Sequence, residues 1–493
     1  MKALNFFMHN KFILITIVIC LYSCSKDPLI IESYNNYPKE IGDIALAKCA
    51  TQGCHNDASK DGAAGLSLAS WDKLFEGSNG GSTVIPYRPD QSFLFFSINT
   101  FPDLGVSLHP TMPINQNSLS REQVLKIKNW ILNGAPNDKG FVKFSDNPDR
   151  KKFYVFNSKC KLVTVFDKET KLIMRYIDAG SSLDGVPCMI QVSPDNNNWY
   201  VLFTGENSTS SLKKYRASDD QLETKLILNN SSWKTIKISS NSKKALIADT
   251  KGKNTFIGGS ISYIDLVNMK LLHTYEAPLD SLFFPIGIEA NNNFSIAYSA
   301  CFHSNYLHKI NLITNKITRV RLNPNDAPII DDVDDTYNPV QILLSPDESE
   351  YFVLCAKSHE IRFFRTSNDS LLKIIPIGIN PLEMKLSKTK NFLFVSDTSH
   401  INSQKGAVFV IDYKTHSLIN IVYTGNQPQG IAVDDEKGLV YVANRNIGGS
   451  SHHVTACVGK PGYITIINMN SLELIKNYST EVSVEPISIS IRQ

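Results

Sequence analysis

The sequence lacks an excess of charge and, beyond its first residues, any long apolar run. It has 50 Lys and Arg against 47 Asp and Glu, a net charge of +3, and no cluster of basic residues. Proteins that bind nucleic acid through its phosphates need such a cluster, so this class is excluded. No later segment is long and apolar enough to cross a membrane as a helix, and 493 residues are many for one domain.

The one marked apolar run lies at the N-terminus. Phe12 to Leu21 follows Lys2 and Lys11, and no charged residue interrupts it. Such a run is short for a membrane-spanning helix, and a short apolar stretch behind positive charges is typical of a signal peptide.

The run ends in Leu-Tyr-Ser-Cys24, which resembles the lipobox of bacterial lipoproteins. The resemblance implies a signal peptide over residues 1–23, an acylated Cys24, and a lipid-anchored tether over residues 24–39; several acyl chains on one cysteine give stable anchoring. A plain signal anchor is the alternative. Because Ser25 follows the cysteine, we expect an outer-membrane lipoprotein in the cell envelope of a Gram-negative bacterium, facing the periplasm or the surface.

Two cysteines and a histidine form the most informative motif. Four residues separate Cys49 from Cys54, His55 follows directly, and Met112 lies far downstream in a Met-Pro loop. Covalent haem needs two thiols and an adjacent histidine, usually written C-x-x-C-H, and methionine is a known second axial ligand. The alternatives are a disulfide loop and a zinc site. Zinc requires further Cys or His ligands at short spacing, and only His109 lies nearby.

Residues 40 to 140 resemble a small cytochrome c domain of the kind found in exported multidomain proteins. After the Met-Pro loop, Ser120 and Gln123 form a capping box, which opens a helix with Val124, Ile127, Trp130 and Ile131 on one face. Gly134 ends this helix. The expected fold of this part is therefore a small all-α domain with its own core.

The same resemblance implies one covalent haem c. Cys49 and Cys54 would hold the porphyrin, His55 would be the proximal iron ligand and Met112 the distal one, with His109 as the reserve distal ligand. The motif departs from the family pattern in its four-residue spacer. This spacer must bulge outward if both sulfurs are to reach the edge of the ring.

The remainder, residues 150–493, is a repeat. Similar strands, often opened by proline, start at residues 187, 235, 285, 339, 381, 428 and 486. Four strands in roughly 40–60 residues make a propeller blade. Residues 153 to 177 hold later strands without a first one, and residues 485 to 491 hold a first strand with nothing after it. The two ends therefore complete one blade, and we predict an all-β, seven-bladed propeller closed by the C-terminal strand. It resembles the YVTN-type, YncE-like propellers of exported bacterial proteins, and Leu439 to Asn444 is the nearest match to their signature.

Histidines after the second strands are the only hint of a site on the propeller. They are His303, His359, His400, His452 and His453. On one face of the ring they would bind a metal or a second haem; the alternative, which we favour, is that they are ordinary residues of polar loops, because no motif supports a site. The acidic run from Asp331 to Asp335 is likewise interpreted as a solvated loop rather than a calcium site.

Five cysteines remain once the signal, lipid and haem residues are assigned: Cys160, Cys188, Cys301, Cys355 and Cys457. Because five is odd, at least one is unpaired or bonds another chain. Those on apolar strands are expected to be buried thiols that act as small hydrophobic residues.

Together these patterns predict a lipid-anchored haem c protein in electron transfer, with the propeller as a docking or binding platform. The partner would be a redox protein or a small-molecule substrate, and the membrane is contacted through the lipid anchor. Fold alone does not decide function. The alternatives are a redox enzyme with a second active site on the propeller, and a surface binding protein in which haem is accessory.

Overall fold

The computed structural model describes residues 33–205, 207–229, 231–254, 258–276, 284–325, 336–398, 405–451, 457–476 and 478–493. The predicted signal peptide and Cys24 lie outside these ranges, as do His400, His452, His453 and the run from Asp331 to Asp335. Within the described ranges, no helix is long and apolar enough to cross a membrane.

The chain is mostly β, with few helices, and these lie before residue 150. They are α1 (Lys39–Ile44), which continues into a π-helical turn (Ala45–Cys49), α2 (Trp71–Leu74), α3 (Phe93–Ile98) and α4 (Arg121–Leu132), with single 3-10 turns at Lys60–Gly62, Pro89–Gln91 and Pro102–Leu104. α4 begins at the predicted capping box: Gln123 N donates to Ser120 Oγ at 3.3 Å and Ser120 N donates to Gln123 Oε1 at 2.9 Å.

Seven sheets follow, each forming one blade. Blade 1 contains β29 (Pro486–Arg492), β1 (Lys152–Asn157), β2 (Leu162–Asp167) and β3 (Ile173–Asp178); blade 2 contains β4 (Val186–Val192), β5 (Asn198–Thr204), β6 (Ser210–Arg216) and β7 (Leu222–Leu228); blade 3 contains β8 (Trp233–Ile238), β9 (Lys244–Asn254), β10 (Gly258–Asp265) and β11 (Lys270–Glu276); blade 4 contains β12 (Pro285–Ala290), β13 (Ile296–Cys301), β14 (Tyr306–Asn311) and β15 (Lys316–Arg321). Blade 5 contains β16 (Pro339–Leu344), β17 (Glu350–Cys355), β18 (Glu360–Arg365) and β19 (Leu371–Pro376); blade 6 contains β20 (Pro381–Leu386), β21 (Phe392–Asp397), β22 (Gly406–Asp412) and β23 (Ser417–Gly425); blade 7 contains β24 (Pro428–Asp434), β25 (Leu439–Asn444), β26 (Pro461–Asn468), β27 (Glu473–Leu474) and β28 (Thr480–Val484).

The propeller is closed as predicted. β29 is the first strand of blade 1 and pairs antiparallel with β1 from Lys152 opposite Arg492 to Asn157 opposite Pro486. The Arg492 side chain donates to the carbonyl oxygens of Pro148, Ala217 and Asn196 at 2.7 to 3.1 Å, which fixes the end of the strand against blade 2. The C-terminus thus removes the strand edges that an open ring would expose.

A disulfide bond also joins the two blades at the closure. Cys160 lies in the turn between β1 and β2, and Cys457 lies in the segment before β26. The bond therefore crosslinks blades 1 and 7. Cys188, Cys301 and Cys355 have free thiols, the last two fully buried, so the prediction that at least one of the five is unpaired is confirmed.

The helical region packs against the same junction. Its own core spans Tyr37 to Ala135, but Ile85 is buried in the apolar cluster between blades 7 and 1, together with Ile489 of β29. Around it, Ser82 Oγ donates to the carbonyl oxygen of Ile173 at 2.9 Å, and Arg88 pairs with Asp178 at 3.0 Å. The two cores are therefore distinct but joined at the place where the ring closes.

Candidate haem-binding site

Cys49 is positioned by the end of the first helix. α1 widens into a π-helical turn, in which Ala50 N donates to the carbonyl oxygen of Ala45 at 2.8 Å. Such turns hold one extra residue and are frequent at functional sites. The Cys49 side chain packs against the core of the helical region, and burial raises the pKa of its thiol to about 11.

The four-residue spacer between the two cysteines forms a turn at the surface. Cys54 N donates to the carbonyl oxygen of Thr51 and His55 N donates to that of Cys49, both at 3.0 Å. These two bonds close the spacer into a turn, with Gln52 and Gly53 exposed. Gly53 has φ +79°, a left-handed conformation that glycine adopts without strain, and nothing lies within 4 Å of the position a side chain would take.

His55 is held from both its ring and its backbone. Its Nδ1 lies 3.4 Å from the carbonyl oxygen of Leu66, and its own carbonyl oxygen accepts from Leu68 N at 2.8 Å. If Nδ1 carries the proton, Nε2 has the free lone pair, which is how ligating histidines are usually oriented. Burial lowers the pKa of His55, which favours the neutral imidazole that metals bind.

The Met112 loop is fixed to α3. Leu108 N donates to the carbonyl oxygen of Phe96 at 2.9 Å, and Met112 N donates to that of Ser97 at 2.7 Å. Both the His109–Pro110 and the Met112–Pro113 peptide bonds are cis. Met112 packs against the core of the helical region, whereas His109 is exposed. Of the two candidate distal ligands, Met112 is thus the one on the apolar side.

The same core carries a set of half-buried apolar side chains. They pack against the core of the helical region without being covered: Ala45, Leu46, Ala50, Leu94, Phe101, Leu104, Val106 and Leu108. Cys49 and Cys54 are not in a disulfide. Two free thiols, an oriented imidazole, a thioether and an incompletely covered apolar surface are the groups that a covalent haem requires, so the residues present fit this cofactor.

A metal site formed by protein side chains alone, and a site formed by the propeller histidines, have less support. In the part of the chain that the structure describes, no group of three or more His, Cys, Asp and Glu side chains is arranged to hold a metal ion. His303 and His359 lie in the turns after β13 and β17, both with positive φ. Arg445, at the end of the second strand of blade 7, forms an ion pair at 3.1 Å with Glu485, which directly precedes the closing strand.

Sequence reasoning missed a buried Cys-His pair in blade 4. Cys301 Sγ lies 2.8 Å from His308 Nδ1, and burial lowers the pKa of His308 to about 3. The pair occupies a corner that recurs in other blades, where Asn157 donates to Thr164 at 2.9 Å and Asn444 donates to Thr465 at 3.0 Å. We therefore interpret the Cys-His pair as a variant of a structural corner. Aligning the ends of the second strands would have revealed it.

The fold defines the class: a seven-bladed β-propeller protein with a helical region docked at its closure. No protein-family model and no curated protein matches the chain. Among solved structures, hydrazine synthase from Kuenenia stuttgartiensis is 14% identical, covers 63% of this chain and 90% of its own, and gives a TM-score of 0.47. A functionally unknown protein from Desulfotomaculum acetoxidans is 13% identical, covers 69% of this chain and 98% of its own, and gives 0.48. Likenesses at such identities concern the fold alone.

Proposed function

We propose that this protein is an exported, lipid-anchored haem c protein that transfers electrons, with the propeller as its docking or binding platform. The observation that carries the proposal is the arrangement around the core of the helical region. Cys49, Met112 and a set of half-buried apolar side chains pack on that core, and His55 Nδ1 lies 3.4 Å from the carbonyl oxygen of Leu66, a residue of the same core. Within this proposal the helical region is a small cytochrome c domain and the propeller is YncE-like.

Each residue then has a defined task. The thiols of Cys49 and Cys54 would hold the haem covalently, His55 Nε2 and the Met112 sulfur would ligate its iron, and the bound haem would supply one-electron transfer. A soft thioether ligand favours ferrous iron and raises the reduction potential. The chain's own contribution is to hold His55 through Leu66, to hold the Met112 loop on α3, and to keep water from the ring with apolar side chains.

Export is supported by the disulfide between Cys160 and Cys457, because such bonds persist in oxidising compartments. The lipid anchor is proposed from the sequence around Cys24. Replacing Cys24 by Ala should block lipid labelling and removal of the predicted signal peptide. This variant should leave the membrane fraction only if the signal peptide is cleaved at another position. A soluble wild-type protein, trimmed at another position and without lipid, would contradict the anchor.

A rigid connection between haem and propeller supports the docking role. The Met112 loop is bonded to α3, and the segment just before α3 carries Ile85 into the core between blades 7 and 1. A partner bound on the ring would thus lie at a fixed distance from the haem. We expect this partner to be a redox protein or a small molecule.

The test is a spectrum of protein purified from cells that mature c-type haem. Haem should stay with the polypeptide after acid-acetone extraction, at about one per chain. The Cys49→Ala and Cys54→Ala variants should each lose one covalent link to the haem. Cys188 is a half-buried thiol on the propeller, and the Cys188→Ala variant should keep both links. If haem is extractable or absent in the wild type, the proposal is wrong.

A further inference from the structure

The innermost turns of the propeller, which join the first and second strands of each blade, are linked around one face of the ring. Six junctions carry such links between neighbouring blades. They are Arg492 to Asn196, Asp195 to Ser242, Ser240 to Asn292, Asn292 to Glu348, Lys388 to Asp435, and Lys151 to Glu436. Among the described residues, these links join the innermost part of neighbouring blades at every junction except the one between blades 5 and 6.

The junction between blades 5 and 6 is built differently. Asp347, in the inner turn of blade 5, forms an ion pair at 2.7 Å with Lys414, which lies in the outer turn between β22 and β23. The inner turn of blade 6 is instead held toward blade 7, where Ser387 Oγ and Lys388 N donate to Asp435 at 2.5 and 2.9 Å. The inner turns of blades 5 and 6 are thus held by different partners.

A cavity of about 350 Å³ opens on this face of the ring, lined by the ends of the first strands and the inner turns of blades 3 to 6. This volume is at the lower end of the range for small-molecule pockets, roughly 300–1,000 Å³. Its apolar wall consists of three half-buried leucines, Leu343, Leu344 and Leu386. Because these leucines line the cavity and are only half-buried, a ligand placed there can contact them.

The charges of the cavity are of both signs. Lys237 pairs with Glu289 across blades 3 and 4, so these two neutralise each other. Lys388 and Glu348 also line the cavity, one from blade 6 and one from blade 5. Neither forms an ion pair with another described residue: the Lys388 ammonium has no partner there, and Glu348 accepts only the backbone N–H of Asn292. The cavity is therefore lined by one ammonium and one carboxylate that have no ion-pair partner among the described residues, and by an apolar wall.

We propose that this cavity binds a small zwitterion with an apolar side group, which is the chemistry of a free apolar α-amino acid. Its carboxylate would pair with Lys388, its ammonium with Glu348, and its side group would cover the three leucines. Charge-assisted hydrogen bonds of this kind give orientation, while the apolar wall gives contact area. The proposal does not depend on the haem, because the cavity lies within blades 3 to 6.

The experiment is calorimetric titration of the full-length protein with three probes that share one apolar group: leucine, 4-methylpentanoate and 3-methylbutylamine. Leucine should bind saturably, and each single-charge probe should bind at least about tenfold more weakly, since each lacks one charged contact. Lys388→Gln and Glu348→Gln should each weaken leucine binding by about tenfold or more, and Glu348→Gln keeps an oxygen for Asn292 N.

Lys390→Gln is the matched control. Lys390 lies in the same turn, but its ammonium donates to Asn470 of blade 7 at 2.7 Å, so leucine should bind this variant as it binds the wild type. The proposal is overturned if leucine does not bind, if the carboxylate or amine probe binds equally well, or if Lys390→Gln weakens binding as much as Lys388→Gln.

Discussion

Deleting residues 484–493 tests how the propeller is closed. The deletion removes β29, its whole pairing with β1, and the hydrogen bonds of Arg492 to blade 2. It also removes Val484 and Ile489, each 3% exposed. Burying one such side chain contributes about 1.5–3 kcal/mol, so the pair alone contributes about 3–6 kcal/mol. Whole domains are stable by about 5–15 kcal/mol, and the truncated ring should therefore retain little cooperative stability.

The assay is thermal unfolding together with hydrogen exchange. The truncated protein should melt over a broader range and at lower temperature, and it should aggregate through the exposed edge of β1. Because Ile85 shares a core with Ile489, exchange should also rise around residues 82–88, while the region around Trp71 should change less. Deleting Gln493 alone, which lies beyond β29, is the control. If the longer truncation melts like this control, the C-terminal strand does not close the ring.

Three further predictions follow from particular contacts. Replacing both Cys160 and Cys457 by Ser should lower the free energy of unfolding by about 2–5 kcal/mol in denaturant titration, because the disulfide closes a separation of 297 residues; an unchanged midpoint would refute this. The pKa of His308 is about 3 in the folded protein and about 6.5 in the unfolded chain. As pH falls from about 6.5 to about 3, the unfolded chain therefore binds a proton that the folded protein does not, and the protein loses stability in this range. Changing Cys301 to Asn and His308 to Thr, the pair used by two other blades, should flatten the fall of melting temperature in that pH window; an equally steep fall would show that other groups cause it. Replacing Met112 by Ala should lower the haem midpoint potential and abolish the near-infrared sulfur-to-iron band; survival of the band would mean that another residue is the distal ligand.

Most of the propeller could be predicted because each blade repeats one physical pattern. The predicted starts at residues 187 and 235 lie within two residues of Val186 and Trp233, where β4 and β8 begin, and the other five coincide with the observed strands. The start of β13 is harder to predict, because the apolar residue Phe294 precedes it although the strand begins at Ile296. Phe294 occupies a left-handed turn position with φ +56°, so its apolar side chain imitated a strand residue.

Outside the repeat, structure could be predicted only where neighbouring residues define it. The capping box of α4 follows from a local pattern, and the closing strand follows from the two incomplete ends of the repeat. The ligand roles of His55 and Met112 stay predictions. The pairing of Cys160 with Cys457 could not be predicted in this way, because only closure of the ring brings the two cysteines together. The same holds for Ile85, whose burial between blades 7 and 1 depends on how the helical region docks.

The central claim is that haem is bonded to Cys49 and Cys54. Trypsin cleaves after Lys48 and Lys60, so one peptide from Cys49 to Lys60 contains both thiols and His55. Mass spectrometry of this peptide, from protein made in cells that mature c-type haem, should find it heavier by one haem and with no free thiol. The unmodified peptide, with both thiols open to alkylation, would contradict the account.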